Sequence, residues 1–366
     1  MHAPTQSVID AFFPVPQLLA PSSMGVDISD SSIKWLVLEQ APHGFRVAGF
    51  GDTKLPEGIV VGGTVRDVAA LGAALAPLVD ASGGVRYAHA ALPEEAAYVF
   101  SMHAPQGSSR DQILKMIEFE FEGRVPIKPS AAVYDYDIID EHDAAEGIEL
   151  AVTVFPKDLA ESYAAAFSVA GIELLSLEIE ARSIARAVSS GKSDEPITLL
   201  VDFGGTHTGF AVLKRGIPIF TSTVEVGGNA MLRGLADKLG ISYEEAQELN
   251  NEQGLTPQTP QAKQAAEVLT MTAAVLADEV TRHYRFWDTR RDERGDRMTP
   301  VARVLLVGGN ANLKGLGSYI AGRVQAPTER GNVWLRVGTF DEYIPPIDWR
   351  ASLQFATAIG LALRGA

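Results

Sequence analysis

The sequence predicts an α/β protein of two similar lobes, each a mixed sheet with helices packed against it. Three observations lead there. The stretch LVDFGGTHTGF at Leu200–Phe210 repeats MGVDISDSSIK at Met24–Lys34, strand-like runs alternate with runs of helical period, and 366 residues exceed what one small core organises. At an offset of 175 residues the repeat aligns Asp27 with Asp202, Ile28 with Phe203, Ser31 with Thr206, and Val37 and Leu38 with Val212 and Leu213. Either loop alone reads equally well as a β-hairpin turn, which also favours Asp, Gly and Ser. Two of them in equivalent places read as a duplication of the whole half.

Residues 1–23 read as a flexible or surface-docked arm anchored by Phe12 and Phe13, with Pro14 and Pro16 breaking any signal-peptide core. Met24–Leu38 is strand, loop and strand, and Gly44–Gly51 a further strand after a turn at Pro42 and Gly44. Arg66–Val79 places Val68, Leu71, Leu75 and Leu78 at helical spacing. Strands at Tyr87–Leu92 and Tyr98–His103, a helix at Ser109–Glu122 opened by Ser109, and strands at Ala132–Ile139 and Leu150–Phe155 make a compact inserted unit. Helices follow at Lys157–Ala170, ended by Gly171, and Ile179–Ser189, ended by Gly191. Ser190–Pro196 reads as the linker. The second half repeats the meander over Ile197–Gly227, runs through helices to about Trp287 and the turn-rich DTRRDERGDR, and closes with a strand at Ala302–Val307 and a helix at Leu353–Leu363.

Composition narrows the function. Hydrophobic residues make up 46% and charged ones 21%, ordinary for a folded globular chain. A formal charge of −15 argues against wrapping nucleic acid or lying on an anionic membrane. The chain has no cysteine, which excludes disulfides and thiolate chemistry and fits a reducing cytoplasm. No run approaches the roughly 20 apolar residues of a membrane span.

Each repeated loop can do chemistry. A glycine- or hydroxyl-rich turn leaves backbone N–H groups unshielded, and successive ones bind phosphate oxygens. Two such loops would clamp one polyphosphate, here through Ser29, Asp30, Ser31 and Ser32 on one side and Gly204, Gly205, Thr206, His207 and Thr208 on the other. Asp27 and Asp202 would repel that phosphate unless Mg²⁺ sat between, held partly through water. Lys34 either adds positive charge near the phosphates or is a solvated strand lysine, and His207 either donates to phosphate or packs on the hairpin. In VLLVGGNANLKGLGSYI, at Val304–Ile320, Gly308 and Gly309 after a buried strand can bring bare backbone against a flat base, though such a turn is also common. Arg282, Arg285, Arg290, Arg291, Arg294 and Arg297, with Tyr284 and Trp287, read either as a nucleic-acid patch or as a solvated helix end, the latter favoured by Asp288, Asp292, Glu293 and Asp296.

Two phosphate loops followed by an adenosine loop resemble the actin, sugar kinase and heat-shock chaperone superfamily. Within it GVDISDSSIKWLVLE, ALPEEAAYVFSMHAP leading to EFEFEGRVPIKPSAAVYDYDII, LSLEIEARSIARAV and ATAIGLALRG are similar to the actin-like PilM family of type IV pilus assembly. The resemblance implies an actin-like ATPase fold of two duplicated, ribonuclease H-like lobes. The first would be 24–190 with a small inserted subdomain at about 86–155, and the second 191–366 with a helical subdomain at about 229–300. It implies ATP and Mg²⁺ as ligands and hydrolysis that is slow or absent. Glu180, 22 residues before Asp202, would orient the attacking water, unless it is a helix-start carboxylate favoured by the dipole. Gln247 and Asn250 would meet ribose and base, in place of the family's acid and lysine, while Asn310 and Asn312 would lie in the adenosine loop. Ser29 and Asn310 stand where the family usually has glycine.

The resemblance also implies a cytoplasmic scaffold that docks an N-terminal peptide of a PilN-like membrane protein beside the inserted subdomain, near RVPIKP at Arg124–Pro129. It would reach the membrane only through partners, with self-association open. Three other readings are a nucleotide-free scaffold, an FtsA-like division protein, and a sugar-kinase-type phosphotransferase. The second calls for an amphipathic tail where this sequence reads LALRGA, and the third for an acceptor-site motif that no segment supplies.

Overall fold

A computed structural model describes residues 21–140, 147–252, 254–256, 260–291 and 297–366. Most of the expected N-terminal arm, with Phe12 and Phe13, lies outside the described residues, as do 292–296 of the arginine-rich turn. The chain divides into two compact units. The first runs up to Ala187 and takes in Arg336–Pro346 and Thr357–Ala366, and the second comprises Val188–Leu335 and Ile347–Ala356.

In the first unit β1 (Ser23–Ile28), β2 (Ser32–Ala41) and β3 (Gly44–Lys54) form an antiparallel meander. A short hairpin, β4 (Val60–Val61) and β5 (Thr64–Val65), leads to α1 (Val68–Leu75) and α2 (Pro77–Ala81). The single helix expected over Arg66–Val79 is split because Pro77 has no N–H to continue the ladder. Next come β6 (Tyr87–Leu92), β7 (Tyr98–Ala104), α3 (Arg110–Arg124), β8 (Ala132–Asp140), β9 (Ile148–Pro156) and α4 (Lys157–Val169). Then β10 (Glu173–Ile179) runs straight into α5 (Glu180–Val188). The sequence reading placed a helix from Ile179 and no strand before it.

The second unit repeats this frame. Its strands are β11 (Thr198–Phe203), β12 (Thr208–Lys214) and β13 (Ile217–Val224), followed by α6 (Gly228–Leu239), α7 (Tyr243–Glu252) and α8 (Pro260–Thr289). It continues with β14 (Arg303–Val307), α9 (Leu316–Val324), β15 (Thr328–Arg330) and α10 (Trp349–Ser352). Sheet order is β10-β6-β1-β2-β3 in one unit and, from the matching end, β15-β14-β11-β12-β13 in the other. Both are parallel across the first two pairs and antiparallel across the meander. The central strands β1 and β11 are buried throughout except at Asp27 and Asp202, which are partly buried.

The inserted subdomain is a β7-β9-β8 antiparallel sheet covered by α3. Its own core includes Phe100, Ile113, Ile117, Phe121, Leu150, Val152 and Val154. Ser109 caps α3 as expected, in a reciprocal box with Gln112.

The compact units do not follow the chain order, since Thr357–Ala366 belong to the first. The last helix, α11 (Ala356–Ala362), packs on the first unit, where a Cβ on Gly25 would lie 2.1 Å from Ala358 O and one on Gly360 1.7 Å from Ser183 O. Side chains would not fit at either place. Arg186 and Arg364 together grip Glu178, and Arg186 also donates to Gly360 O at 2.8 Å. These contacts hold the Glu178 carboxyl at about 2 despite its burial.

Candidate functional site

In the first unit Asp27 ends β1 opposite Lys34 on β2, which itself faces Asp52 on β3. Burial raises the Asp27 carboxyl above the usual range, Lys34 opposes that, and Asp52 adds to it. The loop closes on itself. Ser29 N donates to Ser32 O at 2.9 Å, and Ser32 N to Ser29 Oγ at 3.1 Å. Ser29 is not among the non-glycine residues with left-handed backbone, so serine sits here without strain. Lys34 Nζ folds onto the loop, donating to Ser32 Oγ at 2.6 Å.

Asp30 is committed to the β4–β5 turn. Its oxygens accept from Gly62 N at 2.8 Å and Gly63 N at 3.0 Å, where both glycines have positive φ. The buried Tyr163 hydroxyl donates to Gly63 O at 2.9 Å from the other side. Burial first, then the negative charges of Glu180, Glu95, Asp30 and Asp27, push the Tyr163 hydroxyl upward. Thus Glu180 and both acids of the first loop lie around one buried tyrosine, although far apart in sequence. Glu180 opens α5, and the buried Glu94 accepts the next N–H of that helix, Ala181 N, at 3.0 Å.

In the second unit Asp202 lies opposite Gly209, the position equivalent to Lys34. The loop is held by backbone. Gly204 N donates to His207 O at 3.1 Å, while Gly228 N and Asn229 N at the start of α6 donate to Gly204 O at 3.0 Å and Gly205 O at 2.9 Å. A Cβ on Gly227 would lie 2.2 Å from Gly205 O. Thr206 Oγ1 and His207 Nδ1 are 2.9 Å apart in a hydrogen bond. Thr208 is fully buried and donates to Val226 O at 2.5 Å, supporting the loop from beneath.

The third segment packs against the second loop. Gly308 has a φ of +86°, and a Cβ there would lie 2.3 Å from Asp202 Oδ1. Asn310 Nδ2 donates to Gly204 O at 2.8 Å, and its amide fills the space that a Cβ on Gly228 would enter at 2.1 Å. Asn312 Nδ2 donates to Arg350 O at 2.7 Å. On α7 Gln247 is exposed and Asn250 buried. Among the described residues Asn250 Oδ1 and Asn312 Oδ1 are buried acceptors with no hydrogen-bond partner. A buried acceptor left unmet is costly unless a ligand or water supplies the donor, and both lie on residues expected to meet the nucleoside.

The donor set fits a magnesium nucleotide. No group of three or more His, Cys, Asp or Glu converges on a metal position among the described residues. Mg²⁺ needs no such cage, since it keeps several waters and takes phosphate oxygens.

Sequence reading missed Tyr163, Glu94, Gly62 and Gly63, and the support from Gly227 to Asn229. Only VGGN, a glycine pair after a strand, signalled the last. The arginine-rich stretch is partly compensated: Arg297 pairs with Asp288 at 2.6 Å, and Arg290 stacks over Trp287 at 5.5 Å. No helix of the described residues is long and apolar enough to cross a membrane.

A family model described as type IV pilus assembly protein PilM matches residues 25–366. A solved PilM-PilN type IV pilus biogenesis complex matches with a TM-score of 0.77 at 20% identity, over 94% of this chain and 99% of that one. The ethanolamine utilization protein EutJ from Carboxydothermus hydrogenoformans matches at 0.56 and 18%, over 96% and 91%. MreB5 of Spiroplasma citri bound to AMPPNP matches at 0.55 and 13%, over 93% and 95%. At these identities the structures speak for the fold alone, which is the actin-like ATPase fold already visible in the two matching sheets. With the family model spanning all but the first residues, the chain belongs to the type IV pilus assembly protein PilM family.

Proposed function

We propose that this chain is a nucleotide-binding scaffold of type IV pilus assembly that holds ATP with Mg²⁺, hydrolyses it slowly or not at all, and docks the N-terminal segment of a PilN-like membrane protein. The observation that carries the nucleotide reading is the equivalence of Asp27 and Asp202, at the same register of two topologically identical sheets. When bound, the ion would neutralise phosphate charge. Gly205, Thr206 and Ser31 would offer backbone and hydroxyl donors to phosphate, with Gly204, Ser29 and Ser32 shaping the two loops, and Asn250 and Asn312 would offer acceptors to the nucleoside. Glu180 would fix a water. Thr208, Asn310 and Asp30 support these loops through contacts of their own.

The PilN reading draws on the family match and on the PilM-PilN complex that this fold resembles. The inserted subdomain, with RVPIKP after α3, is the segment proposed to receive the partner. Membrane association would then run through that partner at the cytoplasmic face.

Titrating ATP with and without Mg²⁺ tests the first claim. Mg²⁺-dependent binding that Asp202→Ala lowers at least tenfold is expected, and absence of binding to the wild type would leave a nucleotide-free scaffold. That second reading is favoured by the commitment of Asn310 and Thr208 to protein contacts. A pull-down with a PilN N-terminal peptide tests the other claim, and no association would refute it.

A further inference from the structure

The described residues of 98–140 and 147–156 form a body with a core of its own, drawn from β7, α3, β8 and β9. It leaves the first sheet after β6 and returns at α4. The first turn of α5 is held from this side at two successive residues. Glu94, at the outgoing crossing, accepts Ala181 N at 3.0 Å. Arg182 then reaches β8 in a bidentate pair, Nε to Asp137 Oδ2 at 2.9 Å and Nη2 to Oδ1 at 3.0 Å. Ser183 and Arg186 of the same helix bind Glu178 on β10. The short helix is therefore gripped by the inserted subdomain at its start and by the sheet beyond, and its first residue is Glu180.

The Arg182–Asp137 pair is partly open to water, with side-chain exposures of 23% and 39%. Such a pair contributes little net stability. Its geometry is the informative part, because a guanidinium and a carboxylate joined by two parallel bonds fix angle as well as distance. A rotation of the inserted subdomain that carries Asp137 must either drag the start of α5 or break the pair.

We propose that the Arg182–Asp137 pair is the latch through which a peptide bound at the inserted subdomain and a magnesium nucleotide bound near Glu180 and Asp27 alter each other's affinity. This rests on the function proposed above, since it needs both ligands. Linkage makes the effect reciprocal: whatever factor the nucleotide applies to peptide affinity, the peptide applies to nucleotide affinity. Arg182 is a positioning residue, acting through the α5 start.

The test measures the dissociation constant of a PilN N-terminal peptide with and without Mg²⁺-AMPPNP, using the full chain. In the wild type the nucleotide shifts peptide affinity about fivefold or more. In Arg182→Ala and Asp137→Ala that factor falls to about one, while nucleotide-free peptide affinity and the thermal midpoint stay near the wild-type values. Arg182→Lys, which keeps charge without the planar fork, behaves like Arg182→Ala. The exchange Arg182→Asp with Asp137→Arg recovers coupling in part. A merely structural pair would change stability and leave the factor intact. The inference is overturned if the wild type binds both ligands without mutual effect, or if the single variants keep the full factor. If the wild type fails to bind one ligand at all, the proposed function falls first, and that outcome is read directly from the single-ligand titrations.

Discussion

Asp27 and Asp202 end strands with the same burial pattern and the same neighbours in the sheet, yet one faces Lys34 and the other Gly209. Around Asp27 the chemistry comes from side chains: serine hydroxyls close the loop, a lysine folds onto it, and carboxylates crowd Tyr163. Around Asp202 it comes from backbone, with Gly204, Gly205, Gly227, Gly228 and Gly308 packed where no Cβ would fit without displacement. A duplicated frame has kept its strand ends and let the loops diverge. The comparison predicts tolerance to substitution in the first loop and intolerance in the second.

The largest effect is expected at Gly228. Gly228→Val drives its side chain into the Asn310 amide and should destabilise the chain by about 3 kcal/mol, the upper range for overpacking. Asn310→Ala removes the 2.8 Å bond to Gly204 O, at about 1 kcal/mol, and should recover part of the Gly228→Val loss when combined with it. Denaturant midpoints of the three variants decide this.

Acid sensitivity should appear in both units. Burial is the leading cause that lowers His89, to about 4 from its ordinary 6.5, with Arg364 and Arg186 adding to it against Glu178, and burial also lowers His283, which stacks on Phe210 at 4.0 Å. In each case the unfolded chain takes the proton more readily. The stability these histidines contribute is full above pH 6.5 and lost as pH falls through the folded value, for His89 between 6.5 and about 4. His89→Gln should flatten the fall of the thermal midpoint in that window.

Asp27 has the opposite sign. Its folded value is raised, so its contribution is present at low pH and lost as pH rises through that value. Asp27→Asn should therefore raise the midpoint of the ligand-free chain at neutral pH while weakening magnesium nucleotide binding. The smallest effect is expected at Ser29. Ser29→Ala removes the hydroxyl that accepts from Ser32 N and should cost about 0.5 kcal/mol in a denaturant titration.

The duplication was legible because strand periodicity and the Asp-to-Asp spacing are local patterns. Long-range contacts were not. Nothing near Gly25 or Gly360 in sequence says that α11 returns to the first sheet. Likewise Asp137 and Arg182 are separated by a strand, a helix and another strand. ELLSLEI carries no legible strand because β10 has a bulge between Leu174 and Ser176, which breaks the alternation a regular strand would show. For Ser29 the outcome depended on φ, a quantity that residue identity leaves open.

The central claim is that Asp27 and Asp202 serve one magnesium nucleotide. A double-mutant cycle on Mg²⁺-AMPPNP affinity, with Asp27→Asn, Asp202→Asn and both, tests it most directly. If the two acids share one ion, each substitution should lower affinity about tenfold or more, and the two together by clearly less than the product, with an interaction of about 1 kcal/mol or more. Losses that simply multiply, or wild-type binding indifferent to Mg²⁺, would contradict it.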